Sequence, residues 1–326
     1  MARKNKKNSQ DPIKESLLRK SISAKKDIFG RSLSLSALIL IGAVVFSIFF
    51  FVLSRGLMAF TLDGINPLKF IFGTVWNPTT PDSHGNLQFG AFPMIVGSFL
   101  VTLLSALVAT PFAIATALFM VELQSNWGKK IMQPVVELLV GIPSVVYGFI
   151  GLTVVVPFLR ETFGGSGFGI LAGTIVLFVM ILPTITSLTV DALRNVPNHY
   201  RESALAIGAT RWQMIYKVIL RAATPGILTA VVFGMARAFG EALAVQMVVG
   251  NAPIMPNGLL QSASTLTSIL TQGIGNTSDG SVQNDVLWTL AMLLLIMSLF
   301  FNLIIRFIGK RTNITRGDIN EYKSNQ

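Results

Sequence analysis

The chain has no cysteine and few charged residues, and both deficits limit what it can be. None of its 326 residues is Cys, which excludes a disulfide scaffold and thiol chemistry. Charged residues make up 13% of the chain, whereas soluble proteins carry about 25%. Hydrophobic residues make up 52%, and the mean hydropathy is +0.63. This balance excludes a disordered chain and an ordinary soluble enzyme, and it indicates a membrane protein.

Six stretches are long and apolar enough to cross a bilayer, which takes roughly 20 residues in a helix. Four of them contain no charged residue, the third contains Glu137, and the fifth contains Arg237 and Glu241. The six stretches are residues 33–53, 91–121, 131–159, 162–190, 222–250 and 286–305. The sequence therefore predicts an all-α integral membrane protein with six transmembrane helices.

The spans and the loops between them predict how the chain is organised. The predicted segments are a basic N-terminal tail (1–31), a first transmembrane helix (32–58), an extracytoplasmic loop (59–90), a core with five further spans (91–308) and a C-terminal tail (309–326). Within the core lie a cytoplasmic loop (191–221) and an extracytoplasmic loop (251–285).

The distribution of Lys and Arg predicts the orientation. Of the 26 basic residues, 22 fall on the side of the two termini and three on the other side. Because basic residues concentrate in cytoplasmic loops, both termini are predicted to be cytoplasmic. The net charge of +11 is then a consequence of topology, and a nucleic-acid partner is not expected.

The sequence contains no pattern that indicates an enzyme. The nucleotide-binding pattern G-x-x-x-x-G-K-[ST] is absent, so the chain is not expected to hydrolyse ATP by itself. The two histidines, His84 and His199, fall on opposite sides of the predicted membrane, and no acidic residues cluster. We therefore expect no catalytic residue, no metal site and no cofactor on this chain.

The cytoplasmic loop 191–221 is predicted to form a helix, a sharp turn and a second helix. Asn198 is a good N-cap for the first helix, Gly208 suits the turn, and Thr210 with Gln213 forms a capping box for the second. DNA-binding proteins share this pattern, but here both ends run into apolar spans, which disfavours entry into a DNA groove. A purely structural hairpin and a docking element remain as alternatives.

The loop also carries the residues of a known motif at the required spacing, namely Glu202, Ser203, Ala204, Gly208, Val218 and Leu220. They resemble the "EAA" loop of ABC importer permeases. This chain departs from that pattern at Ser203, where the family has Ala, at Val218, where it has Ile, and at Arg221, where it has Pro.

Further blocks extend the resemblance over roughly residues 35–310. They are WNP at 76–78, GIPSVVYG at 141–148, RAFGE at 237–241 and VVGN at 248–251. Together they are similar to the phosphate-specific permease of the C type, a member of the type I ABC importer family with MetI-like architecture. The resemblance implies the transmembrane permease subunit of an inorganic phosphate importer in the plasma (inner) membrane of a bacterium or archaeon.

The resemblance also implies partners. These are a second related permease of the A type, a homodimeric cytoplasmic ATPase that holds ATP and Mg, and an extracytoplasmic phosphate-binding protein. Residues 202–210 would form the coupling helix seated in the ATPase, with Glu202, Ser203, Ala204 and Gly208 as the motif residues.

Charged residues inside the spans are the candidate pathway residues, because a charge at the bilayer centre is costly. Arg237 and Glu241 are four apart and are predicted to share one helix face. The forked guanidinium of Arg237 suits phosphate, and Glu241 suits the proton of a protonated phosphate. The alternative is a neutralising pair that assists insertion and packing. Glu137, predicted two turns into the third span, is a weaker pathway candidate.

Two other functions stay open from the residues alone. One is a permease for another oxyanion, such as sulfate or molybdate, which Arg237 would also serve. The other is a non-transporting membrane sensor or assembly protein that uses the 191–221 loop to bind a cytosolic partner. Such a protein would not need Arg237 and Glu241 inside the membrane.

Overall fold

The computed structural model describes residues 22–80, 87–123 and 128–324, and most of these residues are helical. Residues 1–21 of the predicted basic tail therefore lie outside the described residues. The α-helices, in chain order, are α1 (Ile22–Thr61), α2 (Pro67–Phe72), α3 (Phe92–Leu118), α4 (Gln133–Gly141), α5 (Ser144–Ile150), α6 (Val156–Phe163), α7 (Ile170–Arg194), α8 (Asn198–Ala206), α9 (Arg211–Gln213), α10 (Leu220–Phe239), α11 (Leu243–Val248), α12 (Leu266–Gly273) and α13 (Val282–Ser324).

Shorter elements join or extend these helices. The segments with the wider π-helical turn are Phe119–Leu123, Gly128–Met132, Gly151–Val155 and Met214–Ile219. A segment with the tighter 3-10 turn is Ile274–Asn276. Two short antiparallel strands, β1 (Trp76–Asn77) and β2 (Gln88–Phe89), pair Trp76 with Phe89 and Asn77 with Gln88.

Within the described residues, six helical segments are long and apolar enough to cross a membrane, which confirms the predicted number. They are Phe29–Thr61, Phe92–Leu123, Ser144–Phe163, Ile170–Arg194, Arg211–Phe239 and Val282–Ile304. Their side chains differ in burial, and α7 is the most buried of the six. The part of α1 before Arg55 is a unit of its own with mostly exposed side chains, and residues from Arg55 onward form the second unit.

The core of the second unit lies around α7. Leu177, Met180, Ile181 and Ile185 on this helix are each at most 1% exposed. On α3, Ser105 and a row of small residues are buried, and Ser105 Oγ lies 3.1 Å from the carbonyl oxygen of Thr174 on α7. Small residues at this interface let the two backbones approach closely, which is how membrane helices gain packing energy without a hydrophobic effect between them.

The third span begins later than predicted. The predicted stretch 131–159 is interrupted at Ile142 and Pro143, which are extended, with ψ values of 129° and 139°. Proline disfavours helical geometry at the residue before it, so α4 ends at Gly141 and the span starts at Ser144. The prediction that Glu137 lies two turns into this span is therefore wrong, because Glu137 is on α4, before the break.

The fourth and fifth spans are also shifted. The fourth begins at Ile170, not at residue 162, because a loop precedes it in which Gly164, Gly165 and Gly167 have positive φ. The fifth was predicted at 222–250, but it starts earlier and ends at Phe239. The remaining residues form the separate short helix α11.

The predicted outer loop 251–285 packs back into the bundle. Ser264, Thr265 and Ser268 are at most 3% exposed. The Oγ of Ser98 on α3 accepts a hydrogen bond of 2.9 Å from the backbone N–H of Leu266. Residues 262–268, which we call the return segment, thus line the bundle.

Candidate functional site

The hairpin of residues 191–221 is built as the sequence predicts. Gly208 has φ of +84°, the left-handed region in which glycine is favoured. At the second helix, Thr210 N–H donates to Gln213 Oε1 at 2.9 Å, and Gln213 N–H donates to Thr210 Oγ1 at 3.3 Å. This reciprocal pair confirms the predicted capping box.

Two details of the hairpin differ from the prediction. Pro197, not Asn198, precedes the first helical residue, so Asn198 is inside α8 and does not cap it. The helix itself covers residues 198–206, close to the predicted helix between Asn198 and Gly208, whereas the resemblance implied a coupling helix over 202–210. Pro197 has an extended backbone, with φ of −60° and ψ of 144°, which is the usual conformation of the residue before a helix.

The motif residues lie mostly on the exposed side of α8. Glu202, Ser203 and Gly208 are exposed, and Ala204 is buried at 5% exposure. Large apolar side chains surround them, with Ile207 86% exposed. Trp212, Tyr216 and Leu205 are also exposed. An open groove of about 800 Å³ runs alongside and is lined by His199, Tyr200, Ser203, Gln213 and Lys217, among others. Apolar groups on this scale at a loop tip indicate a protein contact.

Arg201 fastens this hairpin to the bundle, and sequence reasoning missed it. Its guanidinium forms an ion pair with Glu122, with 2.7 Å between Nη2 and Oε1. The Glu122 side chain is only 5% exposed. The signal that was available is the position of Glu122, a lone acidic residue directly after the second apolar stretch.

Arg237 and Glu241 do not share a helix face, which corrects the prediction. Helix α10 ends at Phe239, Gly240 caps it, and α11 begins at Leu243. The Glu241 carboxylate accepts a hydrogen bond of 3.1 Å from the backbone N–H of Ala244. Glu241 therefore satisfies a free N–H at the start of α11, and this competes with continuation of α10.

Arg237 is half-buried and contacts α7. Its Nη1 donates a hydrogen bond of 2.5 Å to Oγ1 of Thr184. Among the described residues, ion pairs involve Arg31, Arg55 and Arg201, and none joins Arg237 to Glu241. The guanidinium thus keeps donors for another acceptor.

Glu241 lines a small cavity with hydroxyl groups around it. The cavity has a volume of about 10 Å³ and is lined by Ser98, Thr102, Thr265 and Thr267, among others. Thr267 Oγ1 donates to the backbone carbonyl of Glu241 at 2.8 Å. A volume near 10–15 Å³ holds about one water molecule. In this conformation the space beside Glu241 is therefore closed to a tetrahedral anion.

Glu137 lies apart from these residues, on the exposed side of α4. Its carboxylate accepts a 3.0 Å hydrogen bond from Gln133, whose Oε1 accepts one of 3.0 Å from Arg194 at the end of α7. The described part of the chain holds no group of three or more His, Cys, Asp or Glu residues arranged for a metal ion.

Comparison with known proteins gives the family. Residues 109–314 match the family described as "Binding-protein-dependent transport system inner membrane component". The probable ABC transporter permease protein YqgH of Bacillus subtilis is 53% identical over 279 residues, covering 85% of this chain and 89% of that protein. The phosphate transport system permease protein PstC of Mesorhizobium japonicum is 30% identical over 307 residues, covering 88% and 90%.

Solved structures show the same fold. A chain of a bacterial ABC transporter involved in alginate import superposes with a TM-score of 0.58 at 20% identity, covering 88% of this chain and 98% of that chain. A second alginate ABC transporter, solved with its periplasmic protein, gives a TM-score of 0.56 at 22% identity. The six spans, the exposed hairpin and these matches lead to one conclusion: the chain is a multi-pass membrane protein of the ABC importer permease fold and belongs to the family of binding-protein-dependent transport system inner membrane components.

Proposed function

We propose that this chain is a transmembrane permease subunit of an ABC-type importer of inorganic phosphate. The observation that carries the proposal is a half-buried arginine, Arg237, with no paired carboxylate among the described residues. Within an apolar span, an unpaired guanidinium is retained where it serves a pathway. Similarity to chains named as phosphate transport permeases, over most of the length, supports phosphate as the anion.

The hairpin is the proposed site of energy coupling. Its exposed apolar residues and the motif around Glu202 and Gly208 suit insertion into a groove of a separate ATPase, which would be a homodimer holding ATP and Mg. No cofactor is then needed on this chain. The hairpin and both termini are cytoplasmic in this proposal, because 22 of the 26 basic residues lie on that side.

The pathway is proposed to lie at the break between α10 and α11. Arg237 attracts the anion, and Glu241 accepts a hydrogen bond from a protonated phosphate once the cavity beside it opens. Glu137 is proposed as a minor contact near the inner mouth. A second related permease would complete the pathway, and an extracytoplasmic binding protein would deliver phosphate. The hydroxyl groups of Ser98, Thr102 and Thr265 offer further donors at this place.

Another oxyanion remains the second candidate, since a guanidinium also binds sulfate or molybdate. The carboxylate of Glu241 favours phosphate, because sulfate carries no proton at neutral pH and would be repelled. A non-transporting sensor is disfavoured, because it would not require Arg237 inside the membrane.

The test is uptake of radiolabelled phosphate by cells in which this chain is deleted, restored, or restored as Arg237→Gln. We expect deletion to abolish high-affinity uptake and Arg237→Gln to lower it by about 10–100-fold, the loss of one or two charge-assisted hydrogen bonds. Lys69→Gln is the control, because it also replaces a basic side chain by Gln, at an exposed position on α2 outside the hairpin.

Co-purification of the ATPase with each variant checks that the complex assembles. Normal phosphate uptake by an assembled Arg237→Gln transporter would contradict the pathway role. If deletion of this chain abolishes sulfate uptake and leaves phosphate uptake intact, the substrate is sulfate and not phosphate. The chain would still be a permease subunit.

A further inference from the structure

The ion pair between Arg201 and Glu122 joins three helices through one guanidinium. On the side of Glu122, Nη2 lies 2.7 Å from Oε1, and Nε lies 3.1 Å from Oε1 and 3.4 Å from Oε2. Glu122 is in the π-helical turn that extends α3, and Arg201 is on α8. This near-bidentate geometry fixes the direction of α8 relative to α3 as well as its distance.

The remaining donors of Arg201 reach the end of α7. Nη1 donates to the carbonyl oxygen of Val196 at 2.8 Å, and Nη2 donates to that of Leu193 at 3.1 Å. Carbonyls at the end of a helix lack intrahelical partners and carry partial negative charge, so a cation there is favourable. Arg201 thus holds α8 to both α3 and α7.

Apolar packing also holds α8 in place. Ala204 is the buried residue within α8, and it belongs to an apolar cluster that includes Met120, Met214 and Ile215. The Arg201 side chain is 19% exposed and that of Glu122 is 5% exposed, whereas the opposite side of α8 carries exposed residues. Beside this packing, the guanidinium of Arg201 supplies directional polar contacts from α8 to α3 and to the end of α7.

The two helices that Arg201 contacts, α3 and α7, also carry residues of the candidate pathway. Helix α3 carries Ser98 and Thr102, which line the cavity beside Glu241. Helix α7 carries Thr184, which accepts the hydrogen bond from Arg237. A displacement of α8 that moved α3 and α7 would therefore alter both walls of this site.

We propose that Arg201 and Glu122 are positioning residues that transmit the displacement of α8 to α3 and α7 when the ATPase closes. This rests on the proposed function, in which α8 contacts the ATPase. A largely buried ion pair suits this role, because it is screened little by salt and because loss of one partner leaves the other charge uncompensated.

The first measurement is phosphate transported per ATP hydrolysed, in proteoliposomes that hold the whole transporter and its binding protein. We expect Glu122→Gln and Arg201→Gln each to lower this ratio about fivefold or more, the range of typical coupling between sites. The double variant should be no worse than the poorer single variant, because both remove the same contact. Arg201→Lys, which keeps the charge, should recover part of the ratio.

The second measurement does not depend on the substrate. Because the chain has no cysteine, spin labels can be attached through Ala206→Cys on α8 and Phe112→Cys on α3, both at exposed positions. With Glu122 and Arg201 intact, the label distance should stay the same between ATP-free and ATP-trapped transporter. In the Glu122→Gln background it should change or broaden, because α8 then moves without α3.

The outcomes separate the inference from the proposed function. An unchanged transport ratio in both single variants, additive losses in the double variant, or the same label distances with and without Glu122→Gln would overturn the positioning role. If the intact transporter takes up no phosphate, the assignment of phosphate as the substrate is wrong. The label distances would still test whether the ion pair between Arg201 and Glu122 has the positioning role. Lys69→Gln, an exposed position on α2 outside the hairpin, serves with co-purified ATPase as the control for assembly.

Discussion

The contact between Arg237 and Thr184 sets where the guanidinium of the candidate pathway points. Thr184 is 8% exposed, and its Oγ1 accepts a hydrogen bond from Arg237 Nη1. Thr184→Val keeps the shape and removes the acceptor, so the charged donor loses a bond worth about 1.5–3 kcal/mol. We expect phosphate uptake to fall about tenfold or more, measured as initial rates over a range of phosphate concentrations.

Thr189 offers a matched control on the same helix. Its side chain is 0% exposed, and its Oγ1 has no hydrogen-bond partner among the residues that the structure describes. Thr189→Val should therefore leave uptake unchanged and leave stability unchanged or raised, since an unpaired buried hydroxyl is costly. Equal losses in the two variants would mean that Thr184 acts through packing alone.

At the scale of elements, Glu241 contributes a hydrogen bond at the break between α10 and α11. Its carboxylate accepts the N–H of Ala244, a contact that Gln can keep and Ala cannot. We expect Glu241→Gln to keep the melting temperature and to lower phosphate uptake, because the charge is lost and the cap stays. Glu241→Ala should lower both, with the cap worth about 1 kcal/mol. Full uptake in an assembled Glu241→Gln transporter would show that the carboxylate is a cap only.

The return segment is held against α3 at Gly97. A Cβ at this position would collide with the backbone carbonyl of Ser264, which cannot move aside as a flexible side chain can. Gly97→Ala should lower the melting temperature of the purified transporter, at a cost of about 1–3 kcal/mol for overpacking. Gly141→Ala is the control, because a Cβ there meets no atom of the described residues within 4 Å. An unchanged melting temperature for Gly97→Ala would mean that the return segment is loosely packed.

At the scale of the whole molecule, residues from distant parts of the chain meet beside the last span. The Oγ1 of Thr289 donates to the carbonyl of Gly56 at 2.8 Å, and Gln283 Nε2 donates to the carbonyl of Pro78 at 2.8 Å. Nearby, Asp63 has a buried oxygen, Oδ2, for which the described part of the chain offers no hydrogen-bond partner. Burial, and secondarily the charge of Asp285, raises the pKa of the Asp63 carboxyl from its ordinary value of 3.8.

This shift gives stability a definite dependence on pH. Because the folded state holds the proton of Asp63 more tightly than the unfolded state, stability falls as pH rises from 3.8 through the raised pKa and is then constant. Asp63→Asn should therefore raise the melting temperature at pH 7, with a gain that shrinks as the pH approaches 4. Asp191→Asn, which removes an exposed carboxylate, is the control. A gain independent of pH would exclude ionisation of Asp63 as its cause.

The sequence alone determined the features that depend on local or one-dimensional patterns. Six apolar stretches predicted six spans, because the bilayer demands a fixed length of uncharged helix. The turn at Gly208 and the capping box of Thr210 and Gln213 were predicted because both involve residues no more than three apart. The motif residues around Glu202 likewise gave the family, which the comparisons confirm.

Tertiary structure decided where helices break inside apolar stretches and which polar groups meet across them. Hydropathy is blind to the breaks at Pro143 and Gly240, so Glu137 and Glu241 were assigned to the wrong helices. The partner of Arg201 is 79 residues away, and Thr184 is 53 residues from Arg237. Such contacts depend on how α3, α7 and α10 pack, and packing is a property of the assembled bundle that no local pattern in the sequence carries.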